Sequence, residues 1–257
     1  MTEKEFLEGY DANNYDRPSV AVDVLVFKIG KLGELDVLLS LRDNQPCKDK
    51  WALFGSFVKP EESLEDTAKR VLKEKAGIEE LQIEQLYTFG GLDRDPRTRV
   101  ISVAYFALVS QDIKLSENSV WFETELEGED LKLFPAVEGD KVTLLSGLRD
   151  YFFKGSFELK QVDLAFDHKD IIKLAINRLR GKLDYTDIGF NLLKDKNSFT
   201  AFDLQKVFEA IKGEKLDKPN FRRWFFNTYL KSGKVIENWK NSKNVQTYKY
   251  IGGRANG

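Results

Sequence analysis

The spacing of apolar and polar residues divides the chain into elements. SVAVDVLVFKIG, residues 19–30, is dense in valine and predicts a buried strand. GKLGELDVLLSLR adds a glycine-bearing turn and a second strand, so the pair predicts a hairpin. WALFGSF is a short apolar strand that Pro60 ends. Residues 63–76 predict a helix: Ser63 is the N-cap, Glu65 and Asp66 sit in the first turn, and Ala68, Val71 and Leu72 share one face. Gly77 supplies the stop. LQIEQLYTF and RVISVAYFALV predict two more strands. Glu123, Glu125, Glu127, Glu129 and Asp130 read as an acidic surface stretch, and VTLLSGLRDYFF fits either a strand or a helix. IIKLAINRLR, between His168 and Leu183, has helical periodicity.

The C-terminal part has its own rhythm. Thr200 and Asp203 cap a helix through FDLQKVFEAIKG, with Leu204, Val207, Phe208 and Ile211 as its apolar stripe and Gly213 at its end. LDKPNFRRWFFNTYLKSG predicts a second helix with Pro219 in its first turn. KVIENWKNSKNVQTYKYIG predicts a hairpin around NSKN. Helix, turn, helix, hairpin is the order of a winged helix-turn-helix. The chain has no Gly/Ser/Pro-rich linker and no internal repeat, so the join is short, near DYTDIGF. The division expected is an α/β domain over residues 1–183 and a winged helix-turn-helix over 184–257.

Charge sharpens this division. Residues 1–183 hold 26 Lys+Arg and 34 Asp+Glu, a balance of −8; residues 184–257 hold 14 and 8, a balance of +6. A basic module on an acidic body predicts either an anionic partner or mutual attraction of the halves. No apolar run is long enough to span a bilayer, and the polar, acidic start MTEKEFLEGYDANN is unlike a signal peptide. Cys47 and His168 are the only residues of their kinds, which excludes an intrachain disulfide and a Cys/His zinc cluster; a reducing cytoplasm is the expected compartment.

The stretch GSFVKPEESLEDTAKRVLKEKAGI, Gly55 to Ile78, resembles the Nudix box: Gly, five residues, Glu, seven residues, then Arg-Glu-apolar-any-Glu-Glu-any-Gly-apolar. Acids at i, i+3 and i+4 share a helix face and can hold magnesium, which neutralises a diphosphate and helps activate water. Aligned on Glu62, the glycine becomes Ser56, Arg70 is kept, and the three carboxylates at 71, 74 and 75 become Val71, Glu74 and Lys75. Their local charge goes from −3 to 0, a poor magnesium site. Glu62 and Glu74 are the vestigial catalytic pair and Glu74 the one remaining metal ligand; the bland alternative pairs them with Arg70 and Lys75 on a solvated face. Asp93, Arg94, Asp95, Arg97 and Arg99 cluster around Pro96. These arginines either meet phosphate oxygens or satisfy the neighbouring aspartates in a surface turn.

Residues 164–235, LAFDHKDIIKLAINRLRGKLDYTDIGFNLL through SFTAFDLQKVFEAIKGEKLDKPNFRRWFF, closely resemble the Nudix-related transcriptional regulators of the NrtR family, and the resemblance runs from about Arg17 to Ile251. It implies a Nudix α/β/α sandwich with a C-terminal winged helix, and a homodimer that binds operator DNA in response to an ADP-ribose-like nucleotide or a pentose sugar. It implies no required cofactor, with magnesium only if hydrolase activity remains. Arg42, Trp51, Phe57, Arg70, Arg94, Arg97 and Arg99 are the expected effector contacts. Lys218, Asn220, Arg222, Arg223, Lys240 and Lys243 are the expected DNA contacts. Arginine can bridge guanine O6 and N7, asparagine adenine N6 and N7, and wing lysines can meet phosphate. Lys215 also precedes the second helix. Pairing of Arg222 and Arg223 with Glu209 or Glu237 is the competing reading. Trp224, Phe225 and Phe226 are expected in the core. His168 is expected as a satisfied residue at a helix start beside Asp167. The alternative function is a MutT-like, magnesium-dependent hydrolase of ADP-ribose or nucleoside diphosphate sugars.

Overall fold

A strand apolar on both faces needs cover on both sides, and β1 (Ser19–Ile29) has it. The computed structural model describes residues 1–79, 81–110, 113, 115–116, 118–136, 153–154, 158–159, 162–239 and 245–252. Val22, Val24 and Val26 of β1 enter the apolar layer under α2 (Leu64–Val71), while Leu25 and Phe27 enter the opposite layer under α3 (His168–Lys182). β1 pairs in parallel with β6 (Val100–Leu108), which in turn pairs antiparallel with β5 (Ile83–Phe89). On its other side β1 changes neighbour part-way. Ala21–Val24 face β4 (Phe54–Phe57), and Phe27–Ile29 face β2 (Leu35–Leu41). The strand order is β5-β6-β1-β2-β7-β8, with the short β3 (Trp51–Ala52) on β2 and β4 on β1. The result is the expected α/β/α sandwich around a mixed sheet.

Both flanking helices start and stop as their sequences predict. The Ser63 hydroxyl accepts from Asp66 N at 3.1 Å and the Asp66 carboxylate accepts from Ser63 N at 3.4 Å, a capping box. α2 then widens into a π turn, Leu72–Ala76, and closes on Gly77 at φ 68°. Five α3 residues, Ile171, Ile172, Ala175, Ile176 and Leu179, are buried against the sheet. The acidic stretch is regular: β7 (Ser119–Glu127) and β8 (Asp130–Pro135) form an antiparallel hairpin through Gly128. Its acids alternate with the buried Phe122 and Leu126. Of VTLLSGLRDYFF, only Phe153 lies within the described residues, in β9 (Phe153–Lys154), which pairs with β10 (Glu158–Leu159). A short N-terminal helix, α1 (Glu3–Gly9), buries none of its residues.

The C-terminal unit follows the predicted order. α4 (Ala201–Lys212) begins on a Thr200–Asp203 capping box and ends at Gly213. α5 (Lys218–Phe225) begins on Asp217, whose carboxylate accepts from Asn220 N at 3.0 Å. β11 (Val235–Glu237) and β12 (Tyr248–Tyr250) form the wing. Phe190 organises the interior: it stacks on Tyr250 at 4.1 Å and meets Tyr229 edge-on at 4.9 Å. Phe225 is buried as expected and Trp224 is half-buried, but Phe226 is 48% exposed, with Lys231 over its ring. Its position on the solvent side of the π turn Phe226–Leu230, which follows α5, leaves it nothing to pack beneath. The apolar contacts under α3 continue through Leu183, Ile188 and Phe190 into the stripe of α4.

Asp36 on β2 is 1% exposed, opposite Lys28 in the register, and its Oδ2 has no hydrogen-bond partner among the described residues. Gly30 makes room for it: a Cβ there would lie 2.8 Å from both carboxylate oxygens. Burial pushes the Asp36 carboxyl up to about 7, Lys28 opposing and Glu123 and Glu34 assisting. The folded protein therefore keeps this proton where the unfolded chain has released it. Stability from the group is full below an ordinary aspartate pKa and is lost as pH rises through about 7. In urea denaturation between pH 5 and pH 8, Asp36→Asn is expected to flatten the pH dependence and to gain on the wild type at the upper end.

Candidate functional site

Where β1 changes partner from β4 to β2, a cavity of about 700 Å³ opens. Its floor is an ionic cluster. Asp23, 7% exposed in the middle of β1, accepts from Ser102 Oγ at 2.5 Å and from Arg94 Nη2 at 3.2 Å. Arg94 also forks onto Asp167 at 2.9 and 2.8 Å, joining the central strand to the residue that precedes α3. Burial works against the Arg94 charge, and Asp167 and Asp23 outweigh it, so its pKa is raised. Gly55 must be glycine here, because a Cβ would sit 2.3 Å from Asp23 Oδ1.

His168 opens α3 in the cavity wall. Its Nδ1 accepts from Leu53 N at 3.0 Å, which places the proton of the neutral ring on Nε2, 3.7 Å from Asp23 Oδ1. Burial lowers its pKa, with Asp23 opposing. It is satisfied at a helix start, as expected, and also part of the cavity. Phe166, two residues earlier, holds φ at 51°, an uncommon conformation for a side chain of its size. The Arg42 guanidinium lies 5.0 Å over its ring while Arg42 Nε donates to Pro46 O at 3.0 Å. Arg97 lies 5.4 Å over the Phe57 ring and pairs with Asp95 at 2.7 Å. The walls thus offer cations and aromatic faces together, chemistry that suits an anion carrying a flat ring.

The motif residues divide between scaffold and wall. Glu62 accepts from Arg70 Nε at 2.7 Å, from Arg70 Nη2 at 2.9 Å and from Thr67 Oγ1 at 3.0 Å, and the Arg70 guanidinium holds its carboxyl down to about 2. Arg70 also donates to Phe57 O at 3.2 Å and reaches the exposed Glu74 at 3.4 Å. This pair ties the loop to α2. Val71 is fully buried in the apolar layer, so a carboxylate there would lose its hydration. Lys75 Nζ lines the cavity and donates to Gly55 O. Among the described residues no three His, Cys, Asp or Glu side chains group to hold a metal. One exposed carboxylate committed to Arg70, a buried valine and an ammonium do not fit a magnesium ion.

Arg42, Phe57, Arg94 and Arg97 of the expected effector contacts line the cavity; Trp51, Arg70 and Arg99 do not. Trp51 is a core residue, edge-on to Phe122 at 4.8 Å, because the parity of β3 turns it under the sheet. Arg70 is consumed by Glu62, and Arg99 donates to Gly91 O at 2.8 Å. The surface-turn reading holds for Arg97 with Asp95 and fails for Arg94, which is buried and pairs across the fold. Asp23, Lys75 as a wall residue and Phe166 also line the cavity and are not among the residues the sequence marks as contacts. An aspartate inside VAVDVLV was the available signal for Asp23; Phe166 had none.

On the C-terminal unit, Lys218, Asn220, Arg222 and Arg223 are exposed along α5. The Asn220 side chain accepts from Arg223. Neither arginine pairs with Glu209 or Glu237: Glu209 accepts from Gln205, Leu216 N and Lys215. Lys218 lies 5.0 Å over the Phe202 ring. Lys240 and Lys243 lie outside the described residues.

Cavity and helical surface together define a Nudix-type ligand-binding region joined to a DNA-reading winged helix. Residues 17–144 match the NUDIX domain and residues 189–249 the NrtR DNA-binding winged helix domain. The chain is 34% identical over 249 residues to the ADPR-responsive transcriptional repressor NtrR of Acinetobacter baylyi, covering 94% of this chain and 84% of that protein. The crystal structure of a MutT/nudix family protein from Enterococcus faecalis superposes with a TM-score of 0.73 at 27% identity, over 97% of this chain and 94% of that one. Shewanella oneidensis NrtR superposes at 0.63 with 28% identity, over 90% and 93%, and its complex with a 27mer DNA at 0.62 with 27% identity over the same shares. The chain belongs to the NrtR family of Nudix-related transcriptional regulators.

Removing one member of the buried ionic cluster leaves charges unpaired. Arg94→Met is expected to cost about 3–5 kcal/mol, because it strands Asp23 beside the apolar sheet. Urea denaturation of the variant against wild type measures it.

Proposed function

We propose that this chain is an effector-responsive, DNA-binding transcriptional regulator whose cavity binds an ADP-ribose-like nucleotide and whose α5 reads operator DNA. One observation carries the reading: the sandwich keeps a cavity walled by cations and aromatic rings, and the magnesium-binding face beside it is gone. Cationic walls favour a diphosphate nucleotide over an uncharged pentose. The relative from Acinetobacter baylyi, a repressor named for its response to ADPR, supports the same effector class. Phosphoanhydride hydrolysis is lost or very weak, since among the described residues the remaining motif carboxylates, Glu62 and Glu74, are both committed to Arg70 and do not hold the ion that would activate water.

Residues 1–183 form the effector region and 184–257 the DNA-binding region of a cytoplasmic homodimer. No described helix is long and apolar enough to cross a membrane. In such a dimer the two α5 helices must match half-sites one helical turn or a multiple apart. The effector shifts DNA affinity only by as much as it prefers one dimer geometry over the other.

The decisive measurement is a mobility-shift titration with DNA from upstream of the protein's own operon. A sequence-preferring, salt-sensitive shift that ADP-ribose alters is expected; absence of any sequence preference sinks the reading. Arg222→Ala and Arg223→Ala are each expected to weaken the specific complex by about 1–3 kcal/mol if they read bases. A parallel assay with magnesium and ADP-ribose is expected to show no turnover at ordinary enzymatic rates.

A further inference from the structure

Lys75 is the point at which this cavity departs most from a metal-dependent one. In the Nudix pattern its position carries the last glutamate of the helical pair. Here Nζ donates to the Gly55 carbonyl of the neighbouring β4. The π turn Leu72–Ala76 carries it, and Gly55 is held flat against Asp23 by the absence of a Cβ. The ammonium position is therefore set by backbone at both ends.

An ammonium has three donors, and one of these three goes to Gly55 O. Lys75 has no carboxylate within ion-pair distance among the described residues, whereas Arg94 and Arg97 in the same cavity are both neutralised. Arg42 likewise has no carboxylate partner among the described residues; it is engaged by Pro46 O and the Phe166 ring. Partial desolvation, then the Arg42 charge, lower the Lys75 pKa. The wall thus holds two cations that oppose each other, an arrangement that an entering anion relieves and an entering cation aggravates.

We propose that Lys75 serves as a resident counter-cation for the effector's diphosphate, standing in for the divalent ion of metal-dependent relatives, so that effector capture needs no metal. This rests on the reading of the cavity as a diphosphate-nucleotide site. It carries that reading further: loss of the metal face is compensated within the pocket by one fixed charge. The same substitution that removes hydrolysis supplies binding, because an ammonium neutralises phosphate oxygens without delivering an activated water.

Calorimetric titration of the full chain with ADP-ribose tests it, in chelator and again in magnesium. Wild-type affinity is expected to agree within about twofold between the two conditions, since no metal bridge contributes to it. Lys75→Met is expected to lose about tenfold or more in both, the size of a lost charge-assisted hydrogen bond. Lys75→Glu is expected to bind poorly in chelator and to regain affinity when magnesium is added. Lys75 is an exposed residue at the end of a helix, so an unchanged melting temperature confirms that both variants fold. Wild-type binding that requires magnesium, or Lys75→Met binding as tightly as wild type, overturns the counter-cation and leaves the effector reading standing. Absence of wild-type binding in both conditions overturns both.

Discussion

The Arg94 bridge between Asp23 and Asp167 is the contact on which the cavity depends. Asp23 is in the middle of the central strand, and Asp167 immediately precedes α3. One guanidinium therefore fixes the distance between sheet and helix at the place where the cavity opens. A buried carboxylate, Asp23, and a half-buried one, Asp167, would repel each other and lose hydration; Arg94 offsets both costs, and Ser102 satisfies Asp23 further. His168 and Gly55 fit around this cluster, the first aimed at Asp23 and the second with no room for a Cβ. A protein that had lost its ligand along with its catalysis would have no need of such a cluster. Replacement by apolar residues of similar volume is often neutral or stabilising. Its presence fits a binding site better than a structural remnant.

Much of the architecture was legible in the sequence because it rests on local signals. Ser63 and Thr200 begin helices, Gly77 and Gly213 end them, and the valines of β1 mark a strand covered on both faces. The hairpin β7–β8 shows in the sequence only as an acidic stretch. Its alternation is masked by Glu127, Glu129 and Asp130 crowding the turn, where charge density conceals the period of two. Three successive aromatics cannot all face inward from one helix: each residue turns about 100° from the last, so Phe226, which opens the π turn after α5, points outward.

The site was less legible, for a physical reason. A motif fixes spacing along one helix, but a cavity is closed by residues far apart in sequence. The motif sets the spacing of Glu62, Arg70 and Lys75 and says nothing about their division of labour. Glu62 and Arg70 hold the loop to α2, a role that needs only their mutual geometry. Arg94 was visible as one of a charged cluster, and its pairing was not, because Asp23 and Asp167 lie 71 and 73 residues away. Trp51 shows the converse: a large aromatic beside a motif attracts a binding role, yet strand parity turns it into the core.

α3 gives the ligand region and the DNA-reading region a shared rigid element. Its first residue, His168, faces the cavity. Near its other end Arg180 donates to Ile211 O of α4 and to Leu126 O of β7, both at 3.0 Å, and Lys182 pairs with Glu84 of β5. Fifteen residues of helix span about 22 Å. The buried face of this helix is packed along its length, which ties its cavity end and its α4 end into one body. The continuous apolar contact from Leu179 through Leu183 and Ile188 to Phe208 removes the slack that a flexible linker would introduce. The sequence has no Gly/Ser/Pro-rich linker at this join. The effector region and the winged helix are therefore joined by packed side chains and by the hydrogen bonds of Arg180, not by a loose connection.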